Sequence, residues 1–386
     1  MRGKRFVFVM PSVLGLAAML SCGSGPASPM SPPPNPTGQI LYIINSGTVT
    51  TFAVDASSLS ATSVELPIEL VPPPALLLQF DPSPDDHYVY AVWSDGQNIQ
   101  HLSVFQTDSF GVPQLPAIQV LNADSLSQFN MHPSGRFAYM LEVTTANTLY
   151  RASIRLFNVR GSGGMLQESS KVQGSYAPAP IWPVFLYGFS TTGNELYDTS
   201  TLENGSSVYR QRSINSNNGF LGSDTQLLEV NSEQQVAIGQ VIVDQYQSDS
   251  GPGQSYLNIY PNTPNPKKAS IHCAIHMLSY CATASNVQLA PGGHYLFLSD
   301  PATQSIHIAA INLSGHKLTD TGHSIPMTYQ TPGVAFSPDG SILYAMVAGD
   351  RSLHFYQFDK NSGTISESSV PIPLGSDSGF CPAEYR

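Results

Sequence analysis

Several groupings in the 386-residue chain carry residue types able to ligate, attack or stack. His272, Cys273 and His276 are metal-ligating types in close sequence. On a strand the two histidines share one face and Cys273 points to the other, so the donors diverge where a helix would converge them. No metal is expected there. Ser314 and Lys317 form a Ser-x-x-Lys in a Ser-rich turn, which reads as chance. No Gly-x-Ser-x-Gly elbow is present, nor a phosphate- or dinucleotide-binding fingerprint between a strand and a helix, so no cofactor is expected. In YAPAPIWPVF, prolines stiffen a loop bearing Tyr176, Trp182 and Phe185. Rigid aromatics of this kind anchor partners or sugars when exposed. The alternative is that Trp182 plugs a groove, as large aromatics are mostly buried. The polar, Pro-rich YPNTPNPKKAS from Tyr260 reads as a solvated excursion.

The elements that must position these groups recur. FDPSPDDHYVYAV from Phe80, MHPSGRFAYML from Met131, FSTTGNELYDT from Phe189, LAPGGHYLFLS from Leu289 and FSPDGSILYAM from Phe336 are copies of one pattern. An apolar residue precedes a turn segment, most often with Pro and Gly, and a short apolar run carrying an aromatic follows. Tyr90, Tyr139, Tyr197, Phe297 and Tyr344 are separated by 49, 58, 100 and 47 residues. The double interval predicts a degenerate copy at QVIVDQYQSD from Gln240, and a step back from Tyr90 reaches Tyr42 in QILYIINSG. A second alternating run follows most copies, as in TVTTFAVD, IQHLSVFQ, ASIRLFNV, YLNIYP, SIHIAAIN and LHFYQFD, and a further strand such as ISESSVPIP comes after it. Seven four-stranded antiparallel units of about 50 residues predict an all-β, seven-bladed propeller over residues 38–386. Its first unit lacks an innermost strand, and GFCPAEYR at the chain's end has the composition to supply it. A ring that hides its seam leaves no open edge there.

This repeat resembles the seven-bladed propellers of the YVTN and lactonase type, which include propeller-form 6-phosphogluconolactonases and carboxymuconate-lactonizing enzymes. The resemblance covers nearly the whole chain after Thr37 and implies a His, Glu and Arg cluster at one channel mouth, suited to polarising a lactone carbonyl and moving a proton. His132, before Pro133, and Glu142, three residues after Tyr139, match family positions and are the implied catalytic candidates. The family's Asn is Leu141 here, its Arg-His pair falls at Ser127 and Gln128, and an Arg in the last blade matches Pro332. Loss of those cations removes the means of holding an anionic substrate or an oxyanion. The expected role is therefore binding of a small molecule or an envelope protein without catalysis, with lactone hydrolysis as the alternative. A structural scaffold within an envelope complex is a third reading.

Sixteen basic against 27 acidic residues give a net charge of -11, and no basic stripe is present, which excludes a phosphate-backbone binder of nucleic acid. Arg2, Lys4 and Arg5 precede an apolar run from Phe6 to Leu20, the layout of a secretory signal over residues 1–21. Ser21-Cys22-Gly23 resembles the lipobox of bacterial lipoproteins, which implies diacylation of Cys22 and an outer-membrane anchor facing the periplasm or the cell surface. An ordinary cleaved signal and secretion are the alternative. Residues 22–37 hold six prolines and read as a tether. Signal removal makes the charge -14, so membrane attachment rests on acyl chains and not on anionic head groups. Cys273 and Cys281 are expected to pair, leaving Cys381 as a thiol, with a Cys381 bridge as the alternative. The body is expected to be a monomer. Labelled palmitate fed to expressing cells should enter the protein and be lost in Cys22→Ser; equal labelling of the variant would refute lipidation.

Overall fold

The computed structural model describes residues 39–385 apart from several short segments, the longest being 248–254, 262–270, 274–285 and 327–333. Its described strands form seven antiparallel sheets, one for each sequence repeat. Blade three shows the plan: inner strand Ser127–Met131, second strand Phe137–Ala146, third strand Leu149–Val159 and outer strand Leu166–Pro178. Inner strands of successive blades touch one another from blade two through blade six and again from blade seven to blade one. The apolar residue before each repeated turn lies at the end of an inner strand, or two residues from it for Phe80, and the aromatic lies in the second strand. The degenerate copy is the second strand Val241–Gln247 of blade five.

Blade one closes the ring. Its second strand, Gln39–Asn45, pairs on one side with Thr48–Asp55 and on the other with Phe380–Tyr385, antiparallel, through Leu41 to Tyr385 and Asn45 to Phe380. The outer strands of blades one and seven are each split in two. Ser60–Ser63 and Ile68–Glu69 both pair with Thr48–Asp55, and Ile365–Glu367 and Ile372–Pro373 both pair with Ser352–Phe358. ISESSVPIP is thus two short pieces where the pattern predicts one strand. Pro371 cannot donate to a ladder, which favours an interruption there.

Both faces of a second strand are buried because each faces a neighbouring blade. In blade three, Ala138 and Met140 join the cluster shared with Tyr90 and Val104 of blade two, whereas Phe137, Tyr139 and Leu141 join Leu186 and Leu196 of blade four. Period-two alternation sends successive side chains to opposite neighbours. The buried tyrosine hydroxyls cross the same seams. Tyr42 donates to the Gly111 carbonyl (2.7 Å), Tyr90 to Gly164 (2.9 Å) and Tyr139 to Gly219 (2.6 Å), each glycine lying between the third and outer strands of the next blade. Two residues before the tyrosine, a side chain covers that glycine. At Gly164, with φ of 62°, an added Cβ would lie 2.3 Å from the Tyr88 ring, so a bare backbone is required. In blade six Phe297 has no hydroxyl, and Tyr295 instead donates to the Asn361 carbonyl of blade seven at 2.9 Å.

Glutamine amides bridge seams as surrogate ladder partners. Gln119 accepts from Leu166 N (2.7 Å) and donates to Leu166 O (2.9 Å). Gln79 accepts from Phe129 N at 2.9 Å and donates to its carbonyl, and Gln128 accepts from Leu186 N at 2.8 Å. Truncation after Gly375 should lower the thermal unfolding midpoint by more than about 10 °C, since it opens the ring and bares one edge of Gln39–Asn45. An unchanged midpoint would show that the terminal strand is dispensable.

Candidate functional site

His132 occupies a repeated turn position. Its backbone N–H donates to Phe137 O, as Ser83, Ser190, Ala290 and Ser337 donate to Tyr88, Glu195, Tyr295 and Ile342. In blades two and seven the serine hydroxyl at this place caps the turn, accepting from Tyr88 N (3.0 Å) and Ile342 N (2.8 Å). His132 does comparable work with a ring. Nδ1 accepts from Ser134 N at 3.1 Å, which places the proton on Nε2, and Nε2 donates to the Gly193 carbonyl of blade four at 2.7 Å. Phe137 and Phe189 lie edge-on to the imidazole, and the residue is 8% exposed. Both ring nitrogens are engaged in a blade-to-blade clasp.

Glu142 sits in the second strand of the same blade, opposite Ser127 of the inner strand and Ser153 of the third. Phe137, the partner of His132, lies five residues earlier, so His132 and Glu142 are separated by about 17 Å along the hairpin at about 3.4 Å per residue. The sequence-derived pair is therefore not one site. Glu142 is 6% exposed and held by cations: Lys171 of the outer strand contacts Oε2, Ser153 Oγ donates to Oε2 at 3.2 Å, and Arg155 lies 3.7 Å from Oε1. Arg155 also bonds Glu168 at 2.6 Å, which extends the array to the blade's outer edge. Burial pushes the Glu142 carboxyl upward, but Lys171, Arg155 and Ser153 together outweigh it and hold the group below the usual carboxylate range. A carboxylate so neutralised is a poor general base and a good structural anchor.

Gln128, at the place of a family histidine, holds Leu186 N across the seam. The aromatic candidates do not meet. Tyr176 falls within the outer strand of blade three and pairs with Arg151, while Phe185 is in the inner strand of blade four and pairs with Thr199. The expected loop thus begins and ends in strands, because both flanks extend existing ladders. Trp182, Cys22, Cys281 and Pro332 lie outside the described residues. Cys273 ends the outer strand of blade five and Cys381 lies in the inner strand of blade one, with blades six and seven between them. That separation does not allow the 4.4–6.8 Å Cα spacing of a disulfide between these two. Among the described residues no cluster of His, Cys, Asp and Glu suits a metal.

Two polar features escape a motif search. Asp198, in the second strand of blade four, is fully buried and follows Tyr197 where other blades place Met140, Ala91 or Leu298. Arg212 Nε bonds its Oδ2 at 2.5 Å, while Oδ1 has no hydrogen-bond partner. Burial raises its pKa, and the attraction of Arg212 and Arg210 only partly opposes the rise. An Asp in an otherwise apolar run was the available signal. In blade two, Trp93 stacks on His101 with centroids 4.1 Å apart and donates to Ser103 Oγ at 2.9 Å, and His101 meets Asn122 at 3.0 Å. Nearby in sequence, Leu66, Leu76, Ile99, Leu115, Ile118 and Val120 are exposed, six of the eight exposed large apolar residues described.

Residues 239–379 match the family model described as Lactonase, 7-bladed beta-propeller. The chain has the fold of the lactonase-type seven-bladed propellers. It is similar to a candidate 6-phosphogluconolactonase of Bacteroides fragilis, at 14% identity and TM-score 0.57, covering 92% of this chain and 99% of that one. A second, from Bacteroides uniformis, gives 14% and 0.58 over 91% and 100%. Kuenenia stuttgartiensis hydrazine synthase gives 14% and 0.54 over 90% and 100%, so the fold alone does not assign chemistry. No curated protein matches.

Because Glu142 has its carboxyl pKa depressed in the folded state, its contribution to stability is complete above the unfolded value near 4.5 and is lost as pH falls through the lower folded value. Glu142→Gln should therefore lower the urea unfolding free energy by about 1–3 kcal/mol at pH 7. The deficit should shrink as the pH approaches 3; a pH-independent deficit would dissociate the effect from the ion array.

Proposed function

We propose that this lactonase-type propeller is a cell-envelope binding module, held to the membrane by acylated Cys22 and the residue 22–37 tether, whose Glu142 and His132 stabilise blades and do not form a lactonase centre. The observation that carries this reading is the engagement of both side chains in unrelated structural contacts at opposite ends of one hairpin. The working surface belongs to blades one and two. Ile118 and Val120, two residues apart at the outer strand of blade two, expose the same side; Ile99 adds apolar area two residues from His101 of the Trp93–His101 stack, and Leu115 adds more at the other end of the blade. Exposed apolar residues gathered in one sector mark a protein-binding surface. The 6-phosphogluconolactonase neighbours support lactone hydrolysis as the second reading.

Any turnover measured on a panel of aldonolactones should be unaffected by Glu142→Gln, and envelope proteins captured by the full chain should be lost in an Ile118→Asp, Val120→Asp double variant. Lactone hydrolysis that disappears in folded Glu142→Gln would overturn this assignment in favour of the enzyme.

A further inference from the structure

Blade seven contains an array that neither the family match nor the binding role requires. Its third strand, Ser352–Phe358, places Ser352, His354 and Tyr356 on one side. Ser352 Oγ lies 2.8 Å from His354 Nε2, and His354 Nδ1 lies 2.5 Å from Glu367 Oε1 on the outer strand. Hydroxyl to Nε2 and carboxylate to Nδ1 is the connectivity by which an acid orients an imidazole to take a proton from a nucleophile. The His354 ring is nearly parallel to Tyr356, with centroids 6.3 Å apart and planes at 19°. Tyr356 in turn joins the apolar cluster with Ile306 and Ile325 of blade six, so the array lies along the seam between blades six and seven.

Blade six holds an internal comparison. Ser305 and His307 stand ten residues after the start of their blade's second strand and twelve after it, as do Ser352 and His354, and the two pairs occupy matching ladder positions. There the hydroxyl of Ser305 donates to the Thr303 carbonyl at 3.2 Å, and His307 Nε2 meets Thr303 Oγ1 at 2.9 Å and Asp300 at 3.8 Å. The same pair of residue types is thus wired differently in blade six. Blades three and four place Arg155–Glu168 and Arg210–Asp224 at the corresponding third-to-outer-strand place, at 2.6 and 3.4 Å. In blade seven the arginine is replaced by an imidazole, and a serine is placed against its second nitrogen.

We propose that Ser352, His354 and Glu367 form a nucleophilic relay that accepts small open-chain carboxylic esters. Ser352 Oγ bonds to the acyl carbon as His354 Nε2 takes the hydroxyl proton. The carbon–alkoxy bond then breaks, and His354 returns that proton to the leaving alcohol. Water deprotonated by His354 attacks the acyl-serine, the Ser352 Oγ–acyl bond breaks, and the proton passes back to Ser352. The sum is ester plus water giving acid plus alcohol. Glu367 is a positioning residue, since it acts only through His354. Ser352 is 5% exposed, which restricts the acyl group to a short one.

The test uses the full chain with p-nitrophenyl acetate and a fluorophosphonate probe, with adducts located by peptide mass spectrometry and folding followed by thermal unfolding. The expected results are an adduct on Ser352, and turnover that falls by at least about 100-fold in Ser352→Ala and His354→Asn. In Glu367→Gln kcat should fall while KM stays unchanged, because Glu367 orients the imidazole and does not touch the substrate. Ser305→Ala should leave labelling and turnover intact. A folded chain without an adduct at Ser352, or turnover equal in Ser352→Ala, would overturn the proposal while leaving the binding surface on blades one and two untouched.

Discussion

The molecule depends on one constraint: a blade has two apolar faces and can bury them only against two neighbours. Tyr139 and Met140 make this concrete, since consecutive residues of one strand pack into the cores on either side. A row of such sheets always leaves two faces bare, so the row must become a ring, and the ring must be locked where the chain's ends meet. Phe380–Tyr385 beside Gln39–Asn45 is that lock. The fold is all-β for the same reason that its second strands carry near-continuous apolar runs: each is covered on both sides.

Seams impose a second requirement. Aromatic side chains large enough to fill them bring hydroxyls into the interior, where an unbonded O–H is costly. Carbonyls at the outer turns of the next blade accept these hydroxyls from Tyr42, Tyr90 and Tyr139, and glutamine amides satisfy backbone groups that no strand reaches. His132 belongs to this set of devices: it caps its own turn and donates to the next blade's turn. The position looks chemical by resemblance, yet the neighbouring turn consumes the ring nitrogen that a substrate would need.

The strand-rich repeats, the apolar alternation and the Pro-containing turns were readable along the chain because they are local: a turn residue and a strand period act over a few positions. Degenerate blade five was legible only through spacing, since its aromatic ruler fails. The split outer strands were not legible in full, because pairing there depends on how much of an exposed edge the neighbouring strand supports. The candidate site was legible as a set of residue types and not as a geometry. Glu142 is ten residues from His132 in sequence and at the far end of a hairpin in space, and its acid chemistry is decided by Lys171, which is 29 residues away.

By itself, the sequence determined the fold class, the number of blades, the order of strands and the acidic character of the chain, all of which follow from composition and short-range periodicity. Tertiary structure alone decided which polar groups are occupied and which are brought together. Asp198 meets Arg212 across adjacent strands, Glu142 is neutralised by cations from two strands, and Ser352, His354 and Glu367 align although no motif announces them. The physical reason is that hydrogen bonding and charge act over a few ångströms in space, and strand register sets that spacing independently of distance along the chain.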